Sequence, residues 1–120
     1  MFKTESELLY SHKQDFADQI SKWVELNYPE RTTEHEKCAR DVRYVIQALV
    51  FCLNEGNTFA ADHISTMFYT NKTLQLKSTY VEFAAYDFLL EKIYELFPNN
   101  IDAVAHCREA INVLKSKLTQ

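Results

Sequence analysis

The chain has very few residues that break or reverse regular backbone structure. It contains one glycine and two prolines among 120 residues. Sheet proteins with many tight turns, and α/β proteins with phosphate-binding loops, need more glycines than this. Hydrophobic residues make up 47% of the sequence and aromatic residues 13%, which is too apolar for a disordered chain. The sequence therefore predicts an all-α fold with a hydrophobic core.

The length of the chain and its uniform composition along the sequence predict a single domain. A chain of 120 residues lies in the usual size range of one domain. A chain of this size buries roughly two-thirds of its unfolded surface, so it does not need disulfides or metals to fold. We identify no linker, low-complexity segment or internal repeat. We expect one helical domain over residues 1–120.

Charge and apolar patterning argue against several classes of partner. The formal net charge is −4, and the lysines and arginines are scattered, so neither nucleic acid nor a membrane surface is an expected partner. The longest apolar run, 48–53, is too short to span a bilayer. Charges throughout residues 1–15 are unlike a signal peptide. The odd number of cysteines suggests thiols in a reducing compartment. We expect a protein that is neither secreted nor membrane-embedded.

Apolar residues recur at helical spacing in five segments separated by polar residues, glycine or proline. The first predicted helix begins at Thr4, where Thr4 and Glu7 have the spacing of a capping box, and ends before Pro29. The second begins at Thr33 and ends near Gly56, which is expected in a left-handed C-cap. The third covers 58–69, with Thr58 as its expected cap.

The last two predicted helices differ in how much of their surface is apolar. The helix at 79–97 is apolar around most of its circumference, so we expect it to be the buried, central helix of the bundle. The final helix has a narrow apolar seam through Val104, Cys107 and Ile111, which predicts one neighbour. Short connections predict mostly antiparallel packing. The expected fold is a compact bundle of about five helices.

No residue pattern indicates catalysis. The sequence has no Gly-x-Ser-x-Gly motif and no glycine-rich phosphate loop. His35 and Cys38 have the spacing of half a metal site, but a zinc site needs a second pair. The adjacent His106 and Cys107 point in different directions on a helix. We therefore predict a non-enzymatic protein with no catalytic residue, metal or cofactor.

Two groups of charged residues are candidate contact sites. Asp87, Glu91 and Glu95 recur every four residues and form an acidic ridge on the fourth helix. The ridge is either a solvated strip or a patch for a basic partner. Arg40 and Asp41 lie near the core stripe of the second helix. They are either a solvated pair or a pair that holds this helix against a neighbouring segment.

Aromatic residues are numerous around the second and third predicted helices. Core packing is their ordinary role, and an interface is the alternative. Tyr44 belongs to this group and follows the Arg40-Asp41 pair by one helical turn. We include Tyr44 among the candidate interaction residues.

A motif in the second predicted helix resembles a known helical module. It consists of Cys38-Ala39-Arg40-Asp41-Val42-Arg43-Tyr44, then Ala48-Leu49, Leu53 and Gly56-Asn57. Outside it, the matching residues are Lys13, Phe16, Ala17, Tyr28-Pro29, Ala60-Ala61, Phe68-Tyr69 and 83–87. This pattern resembles a Cys-x-Arg-Asp module of virion structural proteins from contractile-tailed phages of marine cyanobacteria. The resemblance spans residues 8–95 and implies a structural role without catalysis.

Some of the same residues also resemble the globin-like subunits of phycobilisomes. The matching residues are Lys37-Cys38-Ala39-Arg40-Asp41, Tyr44, Cys52-Leu53, Gly56, Thr58 and Asp62. This resemblance implies a bilin attached to Cys38 and contacted by Arg40 and Asp41. Phycobilisome subunits have more chain before the motif, and they match only loosely after Asn71. The phage module also accounts for the first helix.

The sequence thus predicts a structural or interaction protein that acts through protein–protein contacts. A bacteriophage virion or assembly component is the leading hypothesis. The alternatives are a phycobilisome-like bilin-binding protein and a small acidic adaptor or inhibitor of a host protein. Expected partners are other protein subunits, including copies of the same chain. The expected location is the virion or the host cytoplasm.

Overall fold

The computed structural model describes residues 1–30, 35–64, 66 and 80–118. Its main helices are α1 (Lys3–Ser11), α2 (Lys13–Asn27), α3 (His35–Glu55), α4 (Tyr80–Leu96) and α5 (Ile101–Leu118). Residues 59–64 are also helical. The described residues include no strand, and the all-α prediction is confirmed. None of the described helices is long and apolar enough to cross a membrane.

The first predicted helix is two helices, α1 and α2, with a break at His12. The Leu8 carbonyl contacts the Ser11 hydroxyl at 2.7 Å and the His12 Nδ1 atom at 3.0 Å. The backbone N–H of His12 instead donates to Leu9, three residues back, at 3.1 Å. In a continuous helix the Leu8 carbonyl would accept the His12 N–H, but the two polar side chains take that position. The prediction of one continuous helix was wrong here.

The helix caps agree with the sequence in part. Gly56 has a φ of +72° after α3, and its N–H donates to the Cys52 carbonyl at 2.9 Å, so the predicted C-cap is confirmed. The capping box at Thr4 was wrong, because α1 begins at Lys3 without a side-chain cap. Thr58 has the predicted N-cap position, because its carbonyl accepts the Asp62 N–H at 3.1 Å, but the side-chain contact comes from Asn57, which accepts the Phe59 N–H at 3.1 Å. The predicted caps at residues 33 and 79 lie outside the described residues.

Contacts between helices show that neighbouring helices run antiparallel. From the start of α1 to the start of α2, the contacts with α3 run in reverse order, from the backbone hydrogen bond of Phe2 with Leu53 to the side-chain hydrogen bond of Lys13 with Gln47. The order also reverses between α2 and α4, where Gln19 contacts Lys92 and Trp23 stacks on Phe88. Between α4 and α5, Asp87 in the middle of α4 contacts Lys115 near the end of α5, whereas Tyr94, later in α4, shares a groove with residues nearer the start of α5. The predicted antiparallel bundle is confirmed for these three pairings.

One continuous hydrophobic core includes residues from all five helices. As predicted, α4 has several neighbours, since it contacts α1, α2 and α5. However, α3 supplies more fully buried side chains than α4, so α3 is at least as central to the bundle as α4. The α5 seam at Val104, Cys107 and Ile111 is buried. Because α5 also buries Ala103 and Ala110 and contacts both α3 and α4, the prediction of one neighbour was wrong.

His106 joins α5 to the end of α3. Its Nε2 atom lies 2.9 Å from the Cys52 carbonyl oxygen and 3.1 Å from that of Asn57. Both of these oxygens are acceptors, so Nε2 carries the hydrogen and donates it. The His106 ring also lies 5.9 Å from the ring of Phe2. The side chain therefore supplies a second donor to the Cys52 carbonyl, which also accepts the Gly56 N–H, and a donor to the Asn57 carbonyl just after α3.

Replacing His106 by alanine is expected to lower the free energy of unfolding by about 1–2 kcal/mol, because two partly buried carbonyls lose a donor. Urea unfolding followed by circular dichroism measures the change. His63→Ala is the control, since His63 is exposed and the expected loss is below about 0.5 kcal/mol. Equal losses in the two variants would show that the contact contributes nothing.

Candidate functional site

The acidic ridge of α4 forms one side of a surface groove between α4 and α5. The groove has a volume of about 370 Å³. Its lining comprises Asp87, Leu90, Glu91, Tyr94, Glu95, Val104 and Arg108. All three predicted ridge residues thus lie in one concave site. The lining combines carboxylates of α4, one guanidinium of α5 and apolar residues of both helices.

The charges in the groove are mostly negative and accessible. Glu91 and Glu95 are exposed, and Arg108 is the one cation among the lining residues. Asp87 forms an ion pair with Lys115 of α5, with 2.5 Å between Nζ and Oδ1. Asp87 therefore helps to join the two helices, whereas the two glutamates carry the negative charge that a ligand would meet.

An aromatic residue interrupts the acidic ridge. Tyr94 is 55% exposed and lines the groove together with the half-buried Leu90 and the buried Val104. An exposed tyrosine offers a flat apolar face and a hydroxyl, a combination that is common at protein interfaces. The groove therefore suits a ligand that presents both positive charge and apolar surface.

The Arg40-Asp41 pair lies away from this groove, on α3. Arg40 Nε is 3.7 Å from Asp41 Oδ1; the Arg40 side chain is exposed, whereas Asp41 is half-buried. This ion pair is local to α3 and does not itself join α3 to another helix. The proposed role of Arg40 in holding α3 against a neighbour thus remains a prediction.

Asp41 and Cys38 lie near α4, at a position the sequence did not reveal. Burial raises the pKa of the Asp41 carboxyl, although Arg40 and Lys37 oppose the shift. Burial also raises the pKa of the Tyr86 phenol, and negative charge on Glu82, Asp41 and Cys38 adds to that effect. The shift favours the neutral form of the Tyr86 phenol. Cys38 is half-buried, and its role in bilin attachment stays a prediction.

The remaining predicted residues occupy separate places. Tyr44 is 45% exposed on α3 and does not line the groove. The side chain of His35 lies outside the described residues. The three cysteines, which all fall within the described ranges, form no disulfide with one another. The described part of the chain contains no group of three or more His, Cys, Asp or Glu side chains that could hold a metal ion.

Sequence reasoning found one wall of the groove and missed the other. The ridge follows from the spacing of carboxylates on α4, and Tyr94 could have been added to it, since it lies three residues after Glu91. Val104 and Arg108 come from α5, and their place depends on how the two helices pack. No sequence pattern around Arg108 indicated that its side chain would line this groove. Comparisons of the chain with protein-family models, curated proteins and solved structures find no match.

Proposed function

We propose that this protein acts by binding other proteins, without catalysis, and that the groove between α4 and α5 receives a basic segment of a partner. The observation that supports this most directly is that Asp87, Glu91 and Glu95 line a single groove with exposed aromatic and apolar surface. A ligand in this groove could therefore make charged and apolar contacts at the same place.

The spacing of the carboxylates suggests the form of the ligand. Glu91 and Glu95 are one helical turn apart, which corresponds to about 6 Å along the axis of α4. A helix with lysines or arginines four residues apart offers positive charges at the same interval. An apolar side chain between those cations would contact Leu90 and Tyr94. The proposed ligand is therefore an amphipathic basic helix rather than a polycation alone.

A defined peptide tests the groove. A fluorescein-labelled helical peptide with lysines four residues apart and leucines between them is expected to bind with an affinity that falls as salt increases. Changing Glu91 and Glu95 together to lysine should weaken binding by about tenfold or more, since two favourable charge contacts become unfavourable. Fluorescence anisotropy at several salt concentrations measures both effects. Asp87 is left unchanged because it pairs with Lys115.

The control is Glu7→Lys combined with Glu36→Lys, which changes the net charge equally at exposed positions outside the groove. This variant should bind the peptide nearly as well as the unmodified protein. Equal weakening in both double variants would show that binding follows net charge and not the groove. A second peptide with serines in place of the leucines should bind more weakly, and equal binding would contradict the apolar part of the proposal.

We further propose a virion or assembly complex as the setting of this activity. The support is the resemblance of Cys38-Ala39-Arg40-Asp41 and Tyr44 to the phage module. Purified virions should then contain the protein in a fixed ratio to the main structural subunits, as measured by quantitative mass spectrometry. Its absence from intact virions would refute this setting and leave the peptide-binding proposal in place.

A further inference from the structure

The outward face of α3 carries a stripe of four exposed residues and one half-buried residue, Gln47, which contacts α2. The stripe consists of Arg40, Tyr44, Gln47, Phe51 and Glu55. Phe51 is 52% exposed, and Tyr44, two turns before it, is 45% exposed. Two large aromatic residues on one helical face, with polar residues at both ends, are typical of an interaction surface.

The spacing within this α3 stripe is that of a helix-pairing seam. Its residues follow each other at intervals of four, three, four and four. Alternating intervals of three and four keep side chains on one side of a helix and let two helices pack along their length. The opposite side of α3, including Ile46, Leu49 and Leu53, is fully buried in the core. The stripe therefore faces away from the core, although Gln47 within it has a contact with α2.

The α3 stripe is complementary to itself when reversed. Arg40 lies at one end and Glu55 at the other, about 22 Å apart along the helix. Tyr44 and Phe51 are placed symmetrically between them, and Gln47 lies next to the midpoint. If a second α3 ran antiparallel across this face, each Arg40 would meet a Glu55 and each Tyr44 would meet a Phe51. A two-fold axis near Gln47 generates both pairs twice.

A contact from α2 helps to order the middle of the stripe. Lys13 Nζ donates to Gln47 Oε1 at 3.2 Å and lies 4.6 Å from the centre of the Tyr10 ring. Tyr10 is itself exposed and is connected to the stripe through Lys13. A side chain already held in place loses less entropy when a partner arrives.

We infer that this protein forms a homodimer in which the α3 stripes of two copies pack antiparallel, with Arg40 of each copy facing Glu55 of the other. None of the stripe residues lines the groove between α4 and α5, so this inference does not depend on the proposed peptide binding. A contact limited to one helix pair is small for a protein interface. The expected dissociation constant is in the micromolar range, on the order of 1–100 µM.

Sedimentation equilibrium over a wide range of protein concentration tests the dimer. The unmodified protein should shift from monomer to dimer as concentration rises. Phe51→Lys should weaken association by about tenfold or more, because it removes a central aromatic contact and adds two charges at the interface. Leu26→Lys is the matched control, since Leu26 is exposed on α2 outside the stripe. Circular dichroism verifies that both variants remain folded.

Charge reversal tests the antiparallel arrangement. Arg40→Glu alone and Glu55→Arg alone should each weaken the dimer, since like charges then face each other. The double variant should recover the original affinity. An equimolar mixture of the two single variants should form a mixed dimer with near-original affinity, because both ion pairs are restored between unlike copies.

Several outcomes would overturn the inference. A protein that stays monomeric at the highest attainable concentration excludes the dimer. A dimer that Phe51→Lys and Leu26→Lys affect equally does not use the stripe. A dimer that loses no affinity on either single charge reversal does not pair Arg40 with Glu55, which excludes the antiparallel register.

Discussion

Replacing Leu49 by alanine is expected to lower the free energy of unfolding by about 2–5 kcal/mol. Leu49 has no exposed surface and lies on α3, which contacts α1, α2 and α5. Removing its isobutyl group reduces the apolar surface buried in the core. It also leaves a cavity, because the three neighbouring helices can move only partly into the empty space. Domains of this size are stabilised by only about 5–15 kcal/mol, so the expected loss is a large fraction of the total. Urea unfolding followed by circular dichroism gives the value.

The matched control for this cavity is Leu26→Ala, the same chemical change at a position that is 82% exposed. Its expected effect lies within about 0.5 kcal/mol of zero. If Leu49→Ala destabilised the protein no more than Leu26→Ala, the packing of α3 at the centre of the core would be wrong. A flatter unfolding transition in Leu49→Ala would indicate a loosened core rather than a simple cavity.

The core of the bundle could be predicted from the sequence because burial leaves a periodic pattern. The apolar stripe of α3 at Val42, Ile46, Leu49 and Leu53 is buried as the spacing indicated. Gly56 marks the end of that helix for a local reason, since its positive φ is costly for other residues. Such features depend on nearby residues alone, and that is why sequence reasoning recovers them.

Other features depend on competition between side chains and the backbone for the same hydrogen-bond acceptors, which the apolar periodicity does not show. Leu9, Phe16 and Ile20 remain in phase across His12, so the apolar pattern gives no sign that the helix breaks there. The break follows from side chains of Ser11 and His12 that contact one backbone carbonyl. A Thr-x-x-Glu pattern at Thr4 likewise predicted a cap that the structure does not form.

The candidate site shows the same division between local and tertiary information. The carboxylates on α4 share a face by their spacing alone. Their position in a groove depends on α5, which brings Arg108 opposite and pairs Lys115 with Asp87. These contacts link residues that are distant in sequence, so no local pattern could reveal them. The ridge itself was predictable. It was not predictable that Asp87 would pair with Lys115 while Glu91 and Glu95 remain accessible.

A buried thiol is expected to make the protein unstable in alkali. Burial, and then the nearby Cys52, raises the pKa of the Cys107 thiol from its ordinary value of 9.0 to about 12. Below pH 9 the thiol is neutral in both the folded and the unfolded chain, so the shift has no effect on stability. Between pH 9 and 12 the unfolded chain releases a proton that the folded chain retains. The free energy of unfolding then falls by about 1.4 kcal/mol per pH unit for this group.

Raising the pH from about 8 to about 10.5 should therefore cost about 2 kcal/mol through Cys107 alone. Burial raises the pKa values of Cys52 and Tyr86 in the same direction, so the total loss should be larger. Urea unfolding at the two pH values, with a reducing agent present, measures the difference.

Cys107→Ala separates this titration from other alkaline effects. The alanine variant should be less stable than the unmodified protein near pH 8, because it leaves a small cavity beside Cys52. Since it lacks the thiol, it should lose less stability on going to alkaline pH, and the two proteins should become closer in stability. A pH dependence identical in the two proteins would show that Cys107 ionises as readily in the folded chain as in the unfolded one. Such a thiol would not be buried, and the packing of α5 against α3 at this position would be wrong.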